Sequence, residues 1–276
     1  MRVIINMLMA AAVAYGAVLL LVFLFQPRLI YFPQVEREHT ATPRAAELDF
    51  EDVALHTADG IKLHGWWVAA RDARGTVLLM HGNAGNISHR LGYLTMFNRL
   101  GYSVLLFDYR GYGKSGGSPG EEGTYLDAKA AWQHLTEARN LKSQDIVIVG
   151  ESLGGGVATW LALKYPPRAL VLASTFTSVP DMGAQVYPWL PVRLLARIVY
   201  DNIARIREIQ VPLMIAHSRG DDIIPFAHGQ ALFAAAREPK QFLELAGGHN
   251  EGFLFARDEW IAAVGAFLDR VGAKKE

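Results

Sequence analysis

Five short segments limit what this chain can fold into more than any other feature of it. Residues 77–80 (VLLM), 104–107 (VLLF), 146–149 (IVIV), 170–173 (LVLA) and 213–216 (LMIA) are apolar at every position. A strand with one wet face alternates apolar and polar residues, so strands lacking that alternation must be covered on both faces. Between them lie stretches of helical length and pattern, around residues 91–100, 125–138, 157–165 and 229–236. Strand and helix in alternation build a mostly parallel sheet between two helical layers, a doubly wound α/β domain. A chain of 276 residues is long enough to bury one such core.

Two elements flank this pattern. Residues 48–57 and 61–69 alternate as strands should and meet at Asp59-Gly60, which predicts a hairpin ahead of the parallel sheet. The interval 176–203 breaks the rhythm, with Pro180, Pro188, Trp189 and Pro191, and is too long for a simple connection. It is expected to be a lid-like insertion over the strand ends, with an elaborated crossover helix as the plainer alternative.

The amino terminus reads MRVIINMLMAAAVAYGAVLLLVFLF, and no charge occurs from Met7 to Phe25. That length spans the roughly 30 Å hydrocarbon layer of a bilayer. A cleaved signal peptide would have a shorter core with small residues behind it, whereas this run ends in Phe25-Gln26-Pro27-Arg28. An uncleaved single-pass membrane helix over 1–26 is therefore expected, then a proline-bearing linker over 27–47 and a catalytic domain over 48–276. Arg2 and the terminal amine compete with Arg28, Arg37 and Arg44 for orientation, and the domain is expected outside the cytoplasm because large domains translocate largely regardless of such charges.

Acidic and basic residues balance at 27 each, so no field of one sign points to nucleic acid as a partner. The absence of cysteine excludes disulfides, thiolate metal sites and a cysteine nucleophile.

The pattern G-x-S-x-G occurs three times, centred on Ser115, Ser118 and Ser152, and the stretch 111–120 (GYGKSGGSPG) also fits G-x-G-x-x-G. Dinucleotide binding needs the last glycine to lead straight into a helix, but Gly116 is followed by Gly117, Ser118, Pro119 and Gly120. A phosphate loop fails as well, since Asp108 stands where its first glycine belongs. A nucleophilic serine requires a tight turn between strand and helix, which lifts its hydroxyl above the sheet. Ser115 and Ser118 lie in a glycine run without that context. Ser152 follows the apolar DIVIVGE and precedes LGGGVATWLALKYP, so it is the expected nucleophile.

Serine needs a base to take its proton, and the base needs a carboxylate to fix its tautomer. After residues 213–216 comes HSRGDDIIP, offering Asp221 with Asp222 as the alternative, and after a last strand over 242–245 comes AGGHNEG, offering His249. His217 reads as a packing residue at a strand end, and His81 as a residue holding its own loop. The oxyanion donors are expected to be the backbone N–H of Leu153, which follows the nucleophile, and that of Asn83 in MHGNAGN after the first parallel strand. Such chemistry requires neither a metal nor an organic cofactor.

Together HGNAG, GESLGG, DD and GGHN resemble the α/β-hydrolase superfamily over roughly residues 48–270. More narrowly, YFP, HGNAGNISHRL, DYRGYGKS and YPWLP are similar to its membrane-anchored, bud-emergence-protein-like branch. The resemblance implies an α/β-hydrolase fold, and makes DYRGYGKSGG a glycine-rich loop that shapes the site without supplying the nucleophile. Ser218 departs from the glycine usual after that histidine, which leaves the acid loop and the choice between Asp221 and Asp222 open. The expected activity is serine hydrolysis of a small-molecule or lipid-like acyl ester or thioester. A serine peptidase on the same scaffold and a non-catalytic membrane scaffold are the alternatives.

Overall fold

The computed structural model describes residues 1–272. Helix α1 (Arg2–Ile30) precedes a hairpin of β1 (Glu51–His56) and β2 (Lys62–Val68), after which β3 (Gly75–Met80), α2 (Leu91–Arg99), β4 (Tyr102–Phe107), α3 (Glu121–Gln133), β5 (Ile146–Glu151) and α4 (Leu153–Lys164) alternate. Strand β6 (Ala169–Ala173) leads into three short helices, α5 (Val179–Val186), α6 (Val192–Leu195) and α7 (Asn202–Ile206). Strand β7 (Leu213–Ser218), α8 (Phe226–Ala235), β8 (Lys240–Leu245) and α9 (Asp258–Gly272) complete the chain.

The strands form one sheet in the order β1-β2-β4-β3-β5-β6-β7-β8. The β1–β2 and β2–β4 pairs are antiparallel; from β4 to β8 every pair is parallel, with Leu79 beside Leu106 on one side and Val149 on the other. Successive residues serve opposite faces. Leu78, Met80, Ile146 and Ile148 join the core beneath α3, α4 and α8, while Val77, Leu79, Val147 and Val149 join the core beneath α2 and α9. This two-sided burial is why these strands are apolar at every position.

Several elements differ from those expected. Helix α1 does not stop at residue 26: it kinks at Phe25 and continues through Pro27 to Ile30, because a proline near the start of a helical segment loses no needed N–H. Helix α3 begins at Glu121, and residues His134–Ala138 continue it as a π-turn. Helix α9 lies beyond the elements read from the sequence; it buries Trp260, Val264, Phe267 and Leu268 along one face. The interval 176–203 holds α5, α6 and the first residues of α7 rather than one crossover helix.

Candidate active site

Strand β5 ends at Glu151 and α4 begins at Leu153, so Ser152 alone makes the turn between them. Its φ of 51° and ψ of −118° lie in a region that residues with a Cβ avoid. Such a backbone costs about 1–3 kcal/mol and persists only when its surroundings over-determine it. They do: the Ser152 N–H donates to Ala173 O at 2.9 Å, and its carbonyl accepts from Thr175 Oγ1 at 2.7 Å and Gly155 N at 2.9 Å. A Cβ on Gly154 would come within 2.2 Å of Met80 O, so only glycine lets the loop after β3 pass this close.

The hydroxyl so presented meets an imidazole from 97 residues away. His249 Nε2 lies 3.1 Å from Ser152 Oγ, and His249 Nδ1 lies 2.8 Å from Asp221 Oδ2. Asp221 and His249 are buried, whereas Ser152 is partly exposed. Asp222 faces away from the ring; its Oδ1 accepts from the His249 backbone N–H at 2.8 Å, fixing the loop that carries the imidazole. The two adjacent carboxylates thus hold one histidine by different ends.

Burial opposes ionisation of Asp221, but hydrogen bonds from His217, His249 and the Ile224 amide outweigh it and hold the carboxyl well below the usual carboxylate range. It is an anion at neutral pH, facing Nδ1. Hydrogen bonding from the His249 amide also lowers Asp222.

Sequence reasoning undervalued two residues around this carboxylate. His217 is fully buried; its Nε2–H donates to Ile224 O at 2.9 Å and stands 3.4 Å from Asp221 Oδ2. Ser218 donates to Gly247 O at 2.5 Å and accepts from Gly220 N at 3.1 Å, clamping the aspartate loop to the histidine loop. Its departure from glycine therefore has a structural use. Only the position of both residues at the end of a buried strand could have signalled this.

The loop after β3 forms the other wall. A Cβ on Gly82 would sit 3.3 Å from Ser152 Cβ, so the Asn83 amide lies one residue from contact with the elbow. No backbone acceptor pairs with the Leu153 or Asn83 N–H among the described residues. The Asn83 side chain is fully engaged: Oδ1 accepts from Tyr112 Oη at 2.6 Å, Ala84 N at 3.0 Å and Phe32 N at 3.1 Å, while Nδ2 donates to Ile30 O at 2.6 Å. Tyr112 belongs to the stretch GYGKSGGSPG, which thus braces the loop. Within that stretch Ser115 is buried, donating to Asp108 O and accepting from His64 N, and Ser118 is exposed.

His81 donates from Nδ1 to Gly82 O at 2.7 Å, and burial pushes its imidazole down to about 4, so it is neutral near pH 7. Behind it Asp108 accepts from Ile87 N at 3.0 Å and from His39 at 2.9 Å. Burial works against the Asp108 anion, but hydrogen bonds from His39 and His64 hold it at about 2. His39, His64 and Asp108 bring ligand-type atoms within 4.8 Å of one another, yet their contacts fasten residues near 39 to the loop after β4.

Comparison with known proteins agrees with this architecture. A family model described as serine aminopeptidase, S33, matches residues 71–207. A solved structure of the Pyrococcus furiosus esterase Pf2001 superposes with a TM-score of 0.72 at 25% identity, covering 87% of this chain and 97% of that one. The α/β-hydrolase domain-containing protein WAV2 of Arabidopsis thaliana is 33% identical over 91% of this chain and 90% of its own length. Protein bem46 of Schizosaccharomyces pombe is 34% identical over 79% of this chain and 77% of its own. With that likeness along most of both relatives, and with an eight-stranded sheet of the matching fold, this chain belongs to the α/β-hydrolase family, in its bem46-like branch.

Proposed function

We propose that this protein is a serine hydrolase that cleaves carboxylic esters or thioesters through an acyl-enzyme on Ser152. One observation carries the reading: an unbroken relay from Ser152 Oγ through His249 to the anionic Asp221, mounted on a strained strand–helix turn. In this reading His249 Nε2 accepts the hydroxyl proton as Oγ attacks the acyl carbon, and Asp221 stabilises the imidazolium that forms. The carbonyl oxygen becomes an oxyanion between the Leu153 and Asn83 amides, where each such donor contributes about 10²–10³ in rate. His249 then protonates the departing alcohol or thiol. A water activated by the same imidazole adds to the acyl carbon, and collapse of the second oxyanion releases the acid and Ser152.

Helix α1 serves as the single-pass anchor, and the remainder of the chain from residue 48 is the catalytic domain, with 176–203 as its lid-like insertion. The apolar insertion beside the anchor favours an acyl substrate, small or lipid-like, over a charged one. A peptidase reading is favoured by the match of residues 71–207 to the serine aminopeptidase family.

A fluorophosphonate probe tests the chemistry. Labelling of wild type and its loss in Ser152→Ala is expected; a folded wild type that takes no label would leave the scaffold alternative standing. Esters and thioesters of graded acyl length, set against aminoacyl amides, separate the two enzymatic readings. Faster turnover of the amides would replace the esterase by a peptidase.

A further inference from the structure

Between residues 7 and 30 the uncharged polar side chains of α1 are Tyr15 and Gln26, and both bind the backbone of the insertion. Tyr15 Oη donates to Trp189 O at 2.9 Å, Gln26 Nε2 donates to Leu195 O at 2.6 Å, and Gln26 Oε1 accepts from Arg197 N at 2.7 Å. The Arg197 guanidinium also sits 5.1 Å from the Phe23 ring centroid. The insertion therefore runs back along the membrane helix from the level of Gln26 to that of Tyr15, about 16 Å at the helical rise per residue.

The surface of this segment is unlike the rest of the domain. Beyond residue 35, the exposed large apolar side chains among the described residues are Val186, Tyr187, Trp189, Leu194 and Ile223, and four of the five fall within nine positions. Leu194 is 88% exposed and Trp189 59%. Much of the backbone there is satisfied by protein. Tyr187, Leu190, Val192, Leu194 and Ala196 donate within the segment, Pro188 and Pro191 have no N–H, and α1 satisfies the carbonyls of Trp189 and Leu195. Irregular backbone survives at membrane depth only where its polar groups are satisfied by protein in this way.

None of the apolar window of α1 is buried inside the fold, which leaves it free to face lipid. A segment bound to its side down to Tyr15 shares those surroundings. We propose that the apolar side chains at the tip of the insertion, Val186, Tyr187, Trp189 and Leu194, enter the near leaflet of the bilayer that holds α1, with the Arg193 guanidinium, paired with Asp181, reaching back to the headgroups and Trp189 in the outer part of the acyl region where indole rings favour the boundary. Helix α1 is about 43 Å long, more than the roughly 30 Å hydrocarbon core, so a tilted helix accommodates this depth. The insertion follows directly on Thr175, which binds Ser152 O, so an acyl ester would reach Ser152 from lipid rather than from water. That consequence rests on the serine-hydrolase reading; the immersion does not.

The test uses the full chain in phosphatidylcholine vesicles whose acyl chains are brominated either near the headgroup or near the methyl end. Bromine quenching of tryptophan fluorescence is expected to be stronger for the headgroup-proximal lipid, with loss of that depth-dependent component in Trp189→Phe. Equal quenching profiles for wild type and Trp189→Phe would overturn the proposal. The chain has no cysteine, so Leu194→Cys introduces a single thiol. In vesicles it should resist a membrane-impermeant maleimide that readily modifies Ala138→Cys, at the exposed last residue of the π-turn after α3. Ready modification of Leu194→Cys, or shielding without lipid quenching at Trp189, overturns it as well, the latter pointing to a protein partner.

Discussion

Asn83 Nδ2 donates to Ile30 O at 2.6 Å, joining the loop beside the candidate nucleophile to the end of the apolar helix α1. The same side chain accepts the Phe32 N–H, so the end of α1 and the loop after β3 are set by one residue. Further fastenings lie on either side: Tyr31 Oη and Tyr200 Oη are 2.9 Å apart, and Asn86 Nδ2 donates to the carbonyls of Glu36, Arg37 and Glu38.

Asn83→Ala keeps the backbone N–H but removes what orients it. Hydrolysis of an ester probe is expected to fall about 10- to 100-fold in kcat, below the loss of a whole oxyanion donor, with KM nearly unchanged. An Asn83→Ala enzyme with wild-type kcat would show that the loop holds its shape without this side chain.

The two aspartates should separate cleanly. Asp221→Asn leaves the geometry but removes the anion facing Nδ1, and the comparable change in a serine protease lowers kcat by about 10⁴. Asp222→Asn retains an oxygen that can accept the His249 N–H, so its loss should stay within about tenfold, as for one neutral hydrogen bond replacing a charged one. Steady-state rates of both variants decide the matter, and equal losses would contradict the division of labour.

Acid stability should report His81. Its folded imidazole sits at about 4 against 6.5 when free, because burial disfavours the cation. A proton is thus bound more weakly in the folded state, so the stability associated with a neutral His81 is complete above pH 6.5 and is lost as pH falls towards 4. The full difference is about 3 kcal/mol. Urea unfolding of the detergent-solubilised protein at pH 7 and pH 4.5 should show a smaller pH dependence for His81→Gln than for wild type. Parallel losses in both proteins would exclude this origin.

Ser218→Gly removes the clamp between the two loops that meet at His249. The lost hydrogen bonds should lower stability by about 1 kcal/mol, read as a fall in Tm. Activity should become more sensitive to temperature than in wild type, and an unchanged Tm would show the clamp to be dispensable.

Local physics made much of the molecule legible in its sequence. Strands buried on both faces must be apolar throughout, and a serine between a strand and a helix with glycines beside it can only be a tight turn. Both properties depend on residues a few positions apart, so Ser152 could be told from Ser115 and Ser118. Helix α9 was readable by the same rule, from Trp260, Val264, Phe267 and Leu268 on one face. The tertiary structure alone decided which of two neighbouring aspartates faces the ring, since Asp221 and Asp222 share chemistry and differ only in the side of the loop from which they project. It also decided that the linker expected over 27–47 is fastened to the insertion through Tyr31 and to the loop after β3 through Phe32 and the carbonyls near residue 37, while Gln26 of α1 holds the insertion itself. Those contacts join residues 50 to more than 160 positions apart along irregular backbone, where no periodicity exists to announce them.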